Sequence, residues 1–133
     1  MPIAMRYGSN DYTRSGGASG GGSGGGITMS LLWTNPSPTS NFAAQTVSLD
    51  LSGFDAVMVV MKLKKDLIYV SWNFGFIGDT AIMSIKGNAT GTMYGRTAEI
   101  NAQGIVFGTG YSASTSSNEY GIPAKIYGIK GIT

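Results

Sequence analysis

Ala56-Val57-Met58-Val59-Val60-Met61-Lys62-Leu63 is an apolar run of strand length. A strand with almost no polar residues on either face is covered on both, so the run predicts a central strand. Upstream, Thr46-Val47-Ser48-Leu49-Asp50-Leu51 alternates, with Val47, Leu49 and Leu51 on one face. Gly53 and Asp55 turn the chain between these two strands. Downstream, Lys64-Lys65-Asp66 ends the run, and Leu67 to Ile77 predicts an aromatic-rich strand with Tyr69, Trp72, Phe74 and Phe76. Gly78-Asp79 turns again, and Ala81, Met83 and Ile85 alternate with Ser84 and Lys86. Gly87 to Gly91 is a turn signal, followed by strands over Thr92 to Asn101 and Gly104 to Tyr111. Tyr111 to Gly121 reads as a polar loop, and Ile122 to Ile132 as the last strand. No segment offers a helical period free of Gly or β-branched crowding, and Asn41 to Gln45 has room for one helical turn at most. Short strands at intervals of about 10 residues predict an all-β domain, an antiparallel β-sandwich or jelly-roll-like head.

The composition changes near residue 26, where 9 of the 21 glycines are already spent. Ser15 to Gly26 contains only Gly, Ser and Ala, the composition of a tether. Chains without Cβ atoms also suit close packing inside an assembly, and both readings stand. Before the run, Met1 to Arg14 carries Ile3, Met5, Arg6, Tyr7, Tyr12 and Arg14, which suit an anchor peptide or else a frayed terminus. The expected organisation is an N-terminal anchor and extended Gly-rich arm over 1–26 and a sandwich head over 27–133.

Charged residues make up 12% of the 133 residues, against about 25% in ordinary globular chains. A surface so poor in charge predicts cover by other subunits, hence a homo-oligomer. The net charge of +2 is too small and too scattered to predict nucleic-acid binding. No apolar run reaches the roughly 18 residues of a membrane span, and Met1 to Tyr7 does not read as a signal peptide.

The chain has no Cys and no His. Disulfides, thiol nucleophiles, the usual zinc ligand sets and Ser-His or Cys-His pairs are therefore excluded. Catalysis would fall to carboxylates such as Asp50, Asp55 and Glu99. Asp50 and Asp55 flank a turn, where Asp serves local hydrogen bonds, and Glu99 alternates with Ala98 and Ile100 as a solvent-facing residue. No Asp-x-Asp-x-Asp run suits calcium, and the Gly run lacks the Lys-Ser/Thr ending and following helix of a phosphate loop. The expectation is no catalytic residue, no metal and no cofactor.

Aromatic residues carry the remaining signal. Tyr94, Tyr111 and Tyr120 lie near turns, and Arg96 shares the face of Tyr94, a candidate recognition patch for a cell-surface glycan. The competing reading places these tyrosines in strands or at subunit contacts. Trp72, Phe74 and Phe76 share one face and form either core or a subunit interface.

Two stretches carry a family likeness. Leu32-Trp33-Thr34-Asn35-Pro36-Ser37-Pro38, continuing to Leu51, and Ile122-Pro123-Ala124-Lys125-Ile126-Tyr127-Gly128, continuing to Gly131, resemble parts of small β-rich structural proteins of tailed bacteriophages and prophages of Gram-positive gut bacteria. The resemblance implies a virion protein assembled in the bacterial cytoplasm, a tail-fibre, tail-tip or receptor-binding module, or alternatively a capsid decoration or head fibre protein. It implies trimers, and contact with other virion proteins through the N-terminal arm. It offers no catalytic motif. In physical terms, Leu31, Leu32 and Trp33 suit the plugging of a sandwich end, and Pro123 suits the start of the last strand.

Overall fold

The computed structural model describes residues 26–86, 93–112 and 115–132, and among these it is all-β with no helix. The anchor residues Ile3, Met5, Arg6, Tyr7, Tyr12 and Arg14, the tether up to residue 25 and the turn at 87–91 lie outside the described residues.

Ten strands follow in order: β1 (Thr28–Thr34), β2 (Gln45–Ser48), β3 (Ala56–Lys64), β4 (Val70–Phe76), β5 (Thr80–Lys86), β6 (Met93–Asn101), β7 (Gly104–Phe107), β8 (Tyr111–Ser112), β9 (Thr115–Ser116) and β10 (Tyr120–Lys130). They form two antiparallel sheets. Sheet A has the order β1-β10-β3-β4. In sheet B, β6 pairs β5 along one edge, while β7 and β8 pair successive parts of its other edge; β2 then flanks β7, and β9 flanks β8.

The expected central strand is β3, held between β10 and β4. Val57, Val59, Met61 and Leu63 face the other sheet and are buried. Across the core they meet Met83, Ala98, Ile100, Ile105 and Phe107 of sheet B. The alternation at 46–51 holds: Val47 and Leu51 are buried and Leu49 packs against the core. Gly75 leaves the space that Ile100 Cδ1 fills where the sheets meet.

Three local readings change. Leu31 to Trp33 belong to a true edge strand rather than an end plug. The register of β1 on β10 shifts between Leu31 and Trp33, and this bulge turns both Leu32 and Trp33 toward the core. Pro123 lies inside β10, at a second bulge between Pro123 and Lys125 where its missing N–H is tolerated. Asn35 mends that irregularity: its backbone N–H donates to Ala124 O at 2.9 Å and its Nδ2 to Pro123 O at 2.8 Å. The two stretches that carry the family likeness are thus neighbours in space. Finally, Asn41 to Ala44 crosses between the sheets as irregular chain, and the polar segment from Tyr111 onward contributes β8 and β9.

Candidate functional site: an aromatic sheet face

Along β4 the side chains alternate. Ser71, Asn73 and Gly75 turn inward, and Val70, Trp72, Phe74 and Phe76 turn outward. Trp72 is 58% exposed, Phe74 44% and Phe76 43%. In this chain the stripe is therefore not core, which corrects one of its two sequence readings. The reason is positional: β4 is an edge strand and nothing in the described residues lies over its outer side.

The stripe continues across the sheet. Leu31, Tyr127, Met58 and Phe74 stand in cross-strand register, and so do Met29, Ile129, Ala56 and Phe76. Trp72 stacks on Tyr127 with centroids 6.2 Å apart and planes at 23°, and Phe74 meets Phe76 edge-on at 5.0 Å. The rings are thus fixed against each other before any partner arrives. Lys125, paired with Val60 and Thr34, begins the polar border of the face. The outer side of sheet B differs: Thr46, Ser48, Thr97 and Glu99 are exposed there, with Val106 and Met93 as scattered apolar residues.

The open edge of β4 adds backbone groups to this surface. Ile77 N–H donates to Asp55 O, and Tyr69 O accepts from Leu63 N–H, so odd-numbered residues face β3. By antiparallel alternation Val70, Trp72 and Phe74 turn their N–H and C=O outward. Phe76 N–H is capped by Asp79 Oδ2 at 3.0 Å.

The four candidate recognition residues do not share one surface. Tyr94 and Tyr120 come together, with ring centroids 5.2 Å apart. Lys64 Nζ sits 6.0 Å from the Tyr120 ring and 3.6 Å from Glu119 Oε1. Asp66 and then Glu119 raise the Lys64 pKa. Tyr111 pairs with Gly95, which puts it on the opposite face of β6 from Tyr94. Arg96 requires correction: it is fully buried and presents no charge at the surface.

Arg96 is instead a clamp between the sheets, rooted in β6 of sheet B and reaching the start of β10 in sheet A. Its Nε donates to Gly121 O at 2.8 Å, Nη1 to Gly108 O at 2.7 Å and Nη2 to Tyr120 O at 2.8 Å. Phe42 lies 5.2 Å below the guanidinium. Among the described residues it has no carboxylate partner. Burial lowers its pKa to about 10, which leaves it charged at neutral pH. Small residues make room for it. Gly121 has φ +57, and a Cβ on Gly110 would collide with Tyr120 O and crowd Arg96 Nη2 at 2.8 Å.

The carboxylates are tied into local structure. Asp50 accepts from Ser52 Oγ at 2.6 Å and Ser52 N–H at 3.1 Å, and these bonds lower its pKa. Asp55 Oδ2 accepts from the N–H groups of Gly131 and Ile132, which ties it to the far end of the chain. No cluster of three or more metal-ligating side chains occurs among the described residues.

No family model, no curated protein and no solved structure matches this chain.

Proposed function

We propose that the chain is a structural subunit that assembles with copies of itself through the outer face of sheet A. Its place in a particle would be that of the tail-fibre or virion-surface proteins its two motifs resemble, moored by the N-terminal arm. The exposed aromatic face carries this reading. Aromatic side chains carry about 150–250 Å² each, so half-exposed Trp72, Phe74 and Phe76, with Met29, Leu31 and Val70, leave on the order of 500 Å² of apolar surface open. Such an area is at the upper end of the roughly 300–600 Å² found for the largest patch of a monomer. With its polar border it supplies the apolar centre of an interface of about 800 Å² per partner.

A second copy is the occupant the chemistry favours. The charge-poor composition fits burial of sheet surface between like subunits. The test is the mass of the full chain by light scattering at micromolar concentration. The expected mass is a multiple of 13.8 kDa, threefold if the resemblance holds for symmetry. The pair Trp72→Ser with Phe74→Ser returns it to 13.8 kDa while circular dichroism stays unchanged. A wild-type monomer, or an oligomer indifferent to the pair, sinks the reading.

A further inference from the structure

On the side of the sandwich opposite β4, the edge strands β1 and β2 meet, and the crossing segment 35–44 runs between them. This seam holds a shallow depression of about 420 Å³. Its walls include Trp33, Ser37, Asn41, Gln45, Thr46 and Ser48. A second depression of about 540 Å³, lined by Asp50 and Gln103 among others, shares Ser48 with it. The two adjoin at Ser48, and the first is the groove beside Trp33.

The lining chemistry is specific. The first depression contains no charged residue. Trp33 is partly buried against the core and held edge-on against Phe42 at 6.3 Å, so the part of its ring left uncovered forms a pre-set aromatic wall. Asn35 is committed to the fold through three hydrogen bonds, but the Asn41 amide and the hydroxyls of Ser37, Thr46 and Ser48 make none among the described residues. Gln45 spends only its Nε2, on Ala43 O. Leu49 N–H bonds Gln103 O toward β7, so by alternation Thr46 and Ser48 turn their backbone N–H and C=O toward the open seam. An indole wall with neutral donors and acceptors on both sides matches a ligand with apolar C–H faces and hydroxyl edges.

We infer that this groove binds a neutral saccharide chain, stacked on Trp33 and hydrogen-bonded by Asn41, Gln45 and the Thr46–Ser48 edge. The inference does not rest on self-association: both surfaces touch β1, but the groove lies on the β2 side of that strand and the aromatic face on the outer side of sheet A. A phosphate or acidic glycan finds no cation there to offset its desolvation. A strand-adding peptide, the other occupant of an open edge, would gain nothing from the exposed amides and would have only two outward-facing β2 residues to pair with.

The test uses the full chain with Trp72→Phe, which leaves Trp33 as the only tryptophan of the two present. Cellohexaose, chitohexaose and maltohexaose are titrated separately to about 10 mM, well past the millimolar affinity of a shallow single site. At least one is expected to shift Trp33 emission saturably, and Asn41→Ala and Gln45→Ala each weaken that binding about three- to tenfold. Both are exposed positions, so circular dichroism should not move. Silence toward all three sugars overturns the inference. So does binding untouched by either variant, stronger binding of an acidic polymer such as heparin, or displacement by an extended peptide. Oligomer mass is read independently, so failure here leaves the self-association reading standing, and the converse holds too.

Discussion

The outside of sheet A and the inside of sheet B invert the usual arrangement of residue types. Outside sheet A stand Trp72, Phe74 and Phe76, each more than two-fifths exposed. Inside sheet B lies Arg96, with no exposed surface. The aromatic face is inexpensive for the subunit fold, and under the proposed self-association it is the part a second copy would cover. The guanidinium is expensive for the fold, and within it each of its three nitrogens donates to a backbone carbonyl. Exposed apolar area is what the proposed assembly would use, whereas a hydrogen-bonded buried charge acts inward, on specification of the fold.

The sharpest way to break this contrast is Arg96→Met. The substitution keeps apolar volume but orphans the carbonyls of Gly108, Tyr120 and Gly121. Each costs about 1–3 kcal/mol when left unsatisfied. Destabilisation of several kcal/mol is expected in urea denaturation, with loss of the β8–β9 region first in hydrogen exchange. A loss below about 1 kcal/mol would mean that water replaces the guanidinium and that it is no clamp. Next in size comes Gly110→Ala, whose new methyl meets the Tyr120 and Ser117 carbonyls and the Arg96 cage. About 1–3 kcal/mol of overpacking cost is expected from the same denaturation curve. A neutral result would show the cage to be loose.

On the other side of the contrast, Trp72→Ser with Phe74→Ser should cost the monomeric subunit about 1.5–3 kcal/mol, because each ring is only about half covered by its sheet neighbours. Denaturation at a dilution where wild type is also monomeric measures this. A larger loss would make the rings part of the subunit's own core after all.

Much of this architecture was legible from alternation. The runs at 46–51 and 56–63 gave β2 and β3 and the side of each that is buried. The face of Arg96 was legible as well, but its direction was misread. Arg96 alternates in phase with Ala98 and Ile100 and out of phase with Thr97 and Glu99, and that phase marks the inner side. Its neighbour Tyr94 drew the reading outward. For Trp72, Phe74 and Phe76 the shared face was plain, but core and surface differ only by what lies above β4. That depends on strand order, which no local pattern records. The separation of Tyr111 from Tyr94 likewise depends on the pairing of β8 with β6. The groove beside Trp33 gathers β1, the crossing segment and β2, whose meeting rests on long-range pairings with β10 and β7.

The smallest effect comes from the fully exposed counterpart of Arg96. Asp50 lies in solvent and accepts from Ser52 Oγ first and Ser52 N–H second, and both bonds hold its pKa below 3.8. A carboxyl whose folded pKa is depressed contributes stability above its unfolded pKa and loses it as pH falls through the folded value. Asp50→Ala should therefore lower the urea midpoint slightly at pH 7, and the gap from wild type should close on acidification below 3.8. Solvent screening keeps the gap small, in contrast to Arg96→Met, whose cost should persist across the same range because Arg96 stays charged throughout. If the Asp50→Ala gap is instead independent of pH, the turn draws on packing of Ser52 or backbone shape rather than on the carboxylate. An exposed ionised group would then do even less for this fold than the contrast with the buried guanidinium assumes.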